Sequence, residues 1–159
     1  MIEFSANCFY IYFYFKEAVF ILSPKGVHYI VEVSGCDSTI TNVPKLQDIL
    51  VEAAKRAHAQ VWSVSFNKFP PNGVSGVVVI SESHLSVHTW PEVNYMALDI
   101  YTCGAHTEPM LAVDYVLEQV KASHIHITEI TRGLDDNDEK FYHSFITWEE
   151  NRINGLKKE

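Results

Sequence analysis

Alternating apolar and polar residues predict strands along most of the chain, and two segments with apolar residues at helical spacing interrupt them. An N-cap at Asn42 and a proline at Pro44 predict the start of the first helix. The second is predicted to begin at Pro109, and a third, amphipathic helix is predicted near the C-terminus through Phe145 and Trp148. Strands are predicted at residues 28–33, 61–66, 76–80, 84–88, 95–102 and 124–131.

This order of elements predicts an α+β two-layer sandwich, an antiparallel sheet with helices on one face. The aliphatic strands suggest that the other face is bare and apolar, so we expect it to pair with a second protomer. No repeat or linker divides the chain. We therefore expect one domain at residues 23–159, preceded by an N-terminal extension of unknown role at residues 1–22.

Charge and cysteine content narrow the function classes. The formal net charge of −8 argues against nucleic acid as a partner and suits a cationic small molecule. Cys8, Cys36 and Cys103 are too few and too scattered for a disulfide framework, which favours a cytoplasmic protein. The apolar runs 9–15 and 18–22 are shorter than the roughly 20 residues of a membrane-spanning helix, so no membrane association is expected.

Candidate chemistry is concentrated between Ser81 and Glu92, directly after the apolar run 76–80. A strand end can present such polar groups rigidly, and nearby cysteine adds a nucleophile or proton donor. A Ser-His-acid hydrolase is one alternative, but the chain lacks the Gly-x-Ser-x-Gly elbow. A zinc site is another, but strands separate side chains four positions apart, so no metal is predicted. Its candidate ligands would be His84, His88, Cys103 and His106, or His124 and His126.

Residues 73–92, GVSGVVVISESHLSVHTWPE, and residues 97–104, ALDIYTCG, closely resemble the signature of the small bacterial and archaeal S-adenosylmethionine decarboxylases. The resemblance extends from about Lys25 to Gly133. It implies a self-processing proenzyme in which the Ser83 hydroxyl attacks the carbonyl of Glu82. Scission would leave a β chain of residues 1–82 and an α chain of residues 83–159. The α chain would begin with a pyruvoyl group derived from Ser83, the covalently bound cofactor.

The resemblance also implies roles for individual residues. The pyruvoyl group at position 83 would form a Schiff base with the substrate amine, and Cys103 would be the proton donor. Ser75 and His88 would assist processing, with His88 as the base. The active sites would be shared by two protomers, with Ser83 and Cys103 of one facing the processing and substrate-binding residues of the other. The implied substrate-binding residues are Phe69 and Trp90, which would stack on the adenosyl and sulfonium groups, and Glu92, which would bind the ribose hydroxyls.

The implied reaction converts S-adenosylmethionine to decarboxylated S-adenosylmethionine and CO2. The product is the aminopropyl donor for spermidine and other polyamines. Two alternatives stay open at this point. One is a pyruvoyl-dependent arginine decarboxylase of the same family. The other is a non-catalytic dimeric binding protein in which Ser83 stays unprocessed.

Overall fold

The computed structural model describes residues 25–81, 83–104, 106–134 and 141–151. The predicted extension at residues 1–22 and the scission residue Glu82 lie outside them. Within these ranges the chain forms seven strands and two α-helices. They are β1 (Gly26–Ser34), α1 (Val43–Arg56), β2 (Val61–Phe69), β3 (Gly73–Ile80), β4 (Ser83–Trp90), β5 (Tyr95–Cys103), α2 (Pro109–Gln119), β6 (His124–Leu134) and β7 (Phe141–Asn151).

The seven strands form one antiparallel sheet in the order β2-β3-β4-β5-β1-β6-β7. Helix α1 packs on β2 and β3, α2 packs on β1 and β5, and the two helices contact each other. The predicted α+β architecture is therefore confirmed. Strands β3, β4 and β5 follow one another as neighbours in the sheet, which places the residues from 73 to 103 on three adjacent strands.

The helices form where the sequence predicts them, because capping and apolar spacing agree. The Asn42 side chain accepts a hydrogen bond of 3.0 Å from the Lys45 backbone N–H, and Pro44 occupies the first turn of α1. Both helices bury one apolar stripe against the sheet. The buried residues are Leu46, Ile49, Leu50, Ala53 and Ala54 on α1 and Pro109, Ala112, Val113, Val116 and Leu117 on α2.

Thr89 is a buried polar residue that fixes β4 to its surroundings. Its hydroxyl donates to the Ile40 carbonyl at 2.9 Å and accepts from the Val74 N–H at 2.8 Å. Without the Thr89 hydroxyl, the Val74 N–H and the Ile40 carbonyl would each lose a hydrogen bond in the core. The bonds hold the end of β4, where Trp90 is the last residue of the strand, in a defined position.

The predicted C-terminal helix is wrong. Residues 141–151 form β7, which pairs with β6 from Leu134↔Phe141 to His124↔Asn151. Phe145 and Ile146 are residue types that favour strands, although the spacing of Phe141 and Phe145 also fits a helix. The long ladder to β6 favours the strand over the helix, because it pairs the backbone of every residue in β7.

The expectation of an aliphatic helix-free face is also wrong for the central strands. Leu85 and Val87 point toward the helices and are fully buried, so the intervening residues of β4 lie on the other face. That face is rich in polar and aromatic side chains contributed by β1, β4, β5 and β6. They include His28, Glu32, His84, Ser86, His88, Asp99, Tyr101 and Arg132. Pairing of this face with a second protomer stays a prediction.

Within the part of the chain that the structure describes, no helix is both long and apolar enough to cross a membrane.

Candidate active site

Ser83 is the first residue of β4 and follows a tight connection from β3. It pairs with Ile80, so only Ser81 and Glu82 lie between the two strands. The Ser81 backbone N–H donates to the Gln60 carbonyl at 2.9 Å, which ties this hairpin to the start of β2. The Ser83 backbone is thus held at a rigid strand end.

Cys103 lies at the same end of the sheet as Ser83. It is the last residue of β5 and pairs with Gly26 on β1. The β4–β5 ladder extends to His84↔Tyr101, so the start of β4 and the end of β5 lie next to each other. Cys103 is a free, half-buried thiol. The structure therefore places Ser83 and Cys103 at the same end of two neighbouring strands.

Ser75 and His88 form a second group at the opposite end of β4. They are cross-strand partners on β3 and β4, and Ser75 Oγ lies 2.9 Å from His88 Nδ1 in a hydrogen bond. The Phe69 ring meets the Trp90 ring edge-on with centroids 6.2 Å apart, and the imidazole of His88 is 6.3 Å from the indole. Glu92 is exposed in the short turn that follows Trp90. This end combines an imidazole, a hydroxyl, a carboxylate and two aromatic rings.

The two groups do not meet within one protomer. His88 lies five positions after Ser83 on the same strand, which corresponds to about 17 Å at the usual rise of a strand. Neither the Ser75 hydroxyl nor the His88 imidazole can reach the Ser83 peptide across that distance. We call the two groups the Ser83 half-site (Ser83 and Cys103) and the His88 half-site (Phe69, Ser75, His88, Trp90 and Glu92).

A polar network that the sequence interpretation missed lies between the half-sites. His28 Nε2 is 3.3 Å from Asp99 Oδ1, and the Ser86 hydroxyl donates to Asp99 Oδ2 at 3.4 Å. The contact with His28 lowers the pKa of Asp99 below its ordinary value. Burial lowers the pKa of His84, and the nearby His28 adds to this effect. The alternation of β5 predicted which face Asp99 occupies, but its partners depend on strand register.

Tyr95 is another residue that the sequence interpretation missed. Its hydroxyl donates a hydrogen bond to the Glu32 carboxylate. Burial, followed by this contact with Glu32, raises the pKa of Tyr95 to about 12. The Tyr95 ring lies 5.2 Å from the Trp90 ring, measured between centroids. Tyr95 thus anchors the indole of the His88 half-site to β1.

The alternative metal site finds no geometric support. Among the described residues, no three His, Cys, Asp or Glu side chains are grouped closely enough to hold a metal ion. His84 and His88 lie four positions apart on one strand, and His124 and His126 are on β6, two strands away from β5.

We expect Asp99→Asn to destabilise the protein at neutral pH but not in acid. Because the folded-state pKa of Asp99 is lowered, its contribution is present above the unfolded pKa of about 3.9 and is lost as the pH falls through the lower folded-state value. The side chain is 35% exposed, so we expect a loss of at most about 1 kcal/mol. Urea unfolding at neutral pH and at about pH 3 measures it. Asp48→Asn, on the exposed side of α1, is the control, and an equal loss for Asp99→Asn at both pH values would contradict the assignment.

Comparisons with known proteins identify the family of the chain. The family profile described as S-adenosylmethionine decarboxylase matches residues 27–133, which include both half-sites. The S-adenosylmethionine decarboxylase proenzyme of Pyrococcus abyssi is 54% identical over 133 residues, covering 82% of this chain and 96% of that protein. The proenzyme of Thermococcus gammatolerans is 52% identical over 135 residues, covering 84% and 94%. The crystal structure of the Aquifex aeolicus adenosylmethionine decarboxylase is similar with a TM-score of 0.65 and 29% identity, covering 74% of this chain and 98% of that one.

Proposed function

The chain belongs to the S-adenosylmethionine decarboxylase family, and we propose that it is a self-processing proenzyme that cleaves itself between Glu82 and Ser83 and then decarboxylates S-adenosylmethionine. The observation that carries the proposal is the position of Ser83, at the start of a rigid strand with Cys103 at the same sheet edge. The product would be decarboxylated S-adenosylmethionine, the aminopropyl donor for spermidine synthesis.

Processing needs only side chains of this protein and one water molecule. The Ser83 hydroxyl adds to the Glu82 carbonyl carbon, and the Ser83 nitrogen leaves it, so that an ester replaces the amide. A base removes the Ser83 α-proton, and the electron pair expels the Glu82 carboxylate. The remaining dehydroalanine takes up water and releases ammonia, which leaves a pyruvoyl group at position 83. His88 is our candidate for the base, and Ser75, hydrogen-bonded to it, stabilises the intermediate.

The hairpin between β3 and β4 fits this scission. Ser83 pairs with Ile80, and the ladder continues from there to Ser75↔His88. Because β4 is also paired with β5, both new chain ends stay held by the sheet after the connection is cut. A pyruvoyl group at residue 83 would therefore remain fixed beside the strand that ends in Cys103.

Such a group supplies a carbonyl that binds the substrate amine and accepts the electron pair left when CO2 departs. The chain's own residues supply the rest. Cys103 holds the proton that the substrate α-carbon takes up. Phe69 and Trp90 provide apolar faces for the adenine and attract the sulfonium cation. Glu92 accepts hydrogen bonds from the ribose hydroxyls.

The separation of the half-sites supports a homodimer with shared active sites. If two copies stack their helix-free faces in opposite directions, the Ser83 half-site of one lies over the His88 half-site of the other. The cross-strand pair Ser86 and Asp99 is midway along β4 between the half-sites, so a two-fold axis near it would exchange them. Both sites would form together, and an isolated protomer would have neither.

The adenosyl substrate is favoured over arginine. The similar Pyrococcus and Thermococcus proteins carry the name S-adenosylmethionine decarboxylase. The stacking pair Phe69 and Trp90 suits a purine, for which the guanidinium group of arginine has no equivalent. Release of labelled CO2 from each substrate in competition decides between them. We also infer a cytoplasmic location, since Cys36 and Cys103 are both free thiols.

We expect the purified protein to consist of two chains divided at Glu82/Ser83, because the Ser83 hydroxyl cleaves its own peptide bond. Intact-mass measurement detects both fragments, and borohydride should reduce the carbonyl of the α chain. Ser83→Ala is expected to remain full-length, whereas the matched control Ser81→Ala, in the same hairpin, should still cleave. A folded protein that stays uncut after long incubation would favour the non-catalytic binding protein instead.

A further inference from the structure

We propose that Gly26, Tyr101 and Arg132 form a positioning device for the Cys103 thiol, an inference that rests on the decarboxylase function proposed above. The three residues come from β1, β5 and β6, the strands next to one another at the edge that carries Cys103. Gly26 limits the space of the sulfur, and Arg132 limits the movement of the Tyr101 ring beside it.

Gly26 sets the space that the sulfur occupies. A Cβ atom added at Gly26 would lie 2.6 Å from the Thr102 carbonyl oxygen, 2.7 Å from Cys103 Sγ and 2.8 Å from Tyr101 Cε2. All three distances are below any ordinary van der Waals contact, so even an alanine would force the thiol and the phenol ring to move. The bare Cα of Gly26 is therefore the surface on which both side chains rest.

The Tyr101 ring and the Cys103 thiol meet at Gly26, and Cys103 lies two residues further along the same face of β5. Burial raises the pKa of Tyr101, and the contact with Cys103 raises it further. The hydroxyl thus stays protonated and can donate to the sulfur. A donor at this place stabilises the negative charge that develops on sulfur as its proton leaves, which favours proton transfer to carbon.

Arg132 holds the phenol ring from the other side. Its guanidinium carbon lies 4.7 Å from the Tyr101 ring centroid, in a cation–π contact. Since Gly26 pairs with both Cys103 and Arg132, the two residues flank the same backbone position of β1. The ring of Tyr101 is therefore confined between β1 and the guanidinium group, beside the thiol.

The test compares Tyr101→Phe with wild type in the cleaved protein. The phenylalanine keeps the ring and its stacking but loses the donor, so we expect kcat to fall about tenfold with KM within about twofold. Alkylation of Cys103 by iodoacetamide, followed on its peptide by mass spectrometry, should slow at least about threefold. Arg132→Gln is expected to change both rates in the same direction by a smaller factor, because the ring remains but is less confined.

Tyr115→Phe is the matched control, since Arg56 stacks on Tyr115 at 4.1 Å on the helix layer, away from the site. It should leave both rates unchanged. Gly26→Ala should lower kcat as Tyr101→Phe does; if it does not fold, Tyr101→Phe decides alone. Rates within about twofold of wild type for Tyr101→Phe would overturn the inference. A wild-type protein that never cleaves would instead contradict the proposed function. The alkylation rates would still measure the effect of Tyr101 on the Cys103 thiol.

Discussion

Mixing two inactive variants, Ser83→Ala and His88→Ala, is expected to restore about a quarter of the wild-type decarboxylase activity. Each variant alone should be uncleaved and inactive, because every site lacks either the nucleophile or the base. In a mixed dimer, one site combines the intact Ser83 of one protomer with the intact His88 of the other. Random exchange makes about half of the dimers mixed, each with one working site.

The measurement is self-cleavage and CO2 release after co-expression or after unfolding and refolding the two variants together. A matched control pairs Ser83→Ala with Cys103→Ala, whose positions belong to the same half-site. No mixed dimer of that pair contains a site with both residues intact, so its decarboxylation should not exceed the residual rate of Cys103→Ala alone. The shared site is refuted if the first mixture remains inactive, and the grouping of Ser83 with Cys103 is refuted if the control mixture regains activity.

The proposed shared site would give a role to both parts of a motif that is compact in sequence but divided in space. Ser83 and His88 are five positions apart in the chain, yet a strand places them at opposite ends of the same element. In a helix those residues would lie within about two turns. The extended backbone of the strand therefore keeps the Ser83 peptide and the His88 imidazole apart within one copy.

The sequence predicted the elements whose local signals agree. Asn42 and Pro44 marked the start of α1, and the alternation of β5 separated Met96 and Leu98 from Asp99 correctly. The prediction of a helix near Phe145 was wrong because the apolar spacing there fits both the helical and the strand period. Only the ladder to β6, which joins residues far apart in the chain, decides for a strand.

The polar network was beyond prediction for a related reason. His28 and Asp99 are 71 positions apart and meet because β1 lies beside β5 in one particular register. A shift of that register by one residue would turn every side chain of β1 to the other face. The aliphatic content of the strands suggested an apolar second face, but most of those residues lie on the helix side, in the core.

We expect Cys103→Ala to separate the two reactions of the protein. Self-cleavage should proceed, because it uses Ser83, Ser75 and His88 and does not involve the Cys103 thiol. Decarboxylation should fall by a factor of about 10² to 10⁴, the usual contribution of a positioned proton donor. Intact-mass measurement follows the first reaction, and release of labelled CO2 follows the second.

Cys36→Ala is the matched control for this separation. Cys36 is buried in the core, and burial together with the charge of Asp37 raises the pKa of its thiol to about 11, so it neither reaches substrate nor ionises near neutral pH. Its loss should affect stability but not the ratio of decarboxylation to cleavage. If Cys103→Ala kept full turnover, the proton would have to come from another group at that sheet edge. The protonated hydroxyl of Tyr101 would then be the first to replace next.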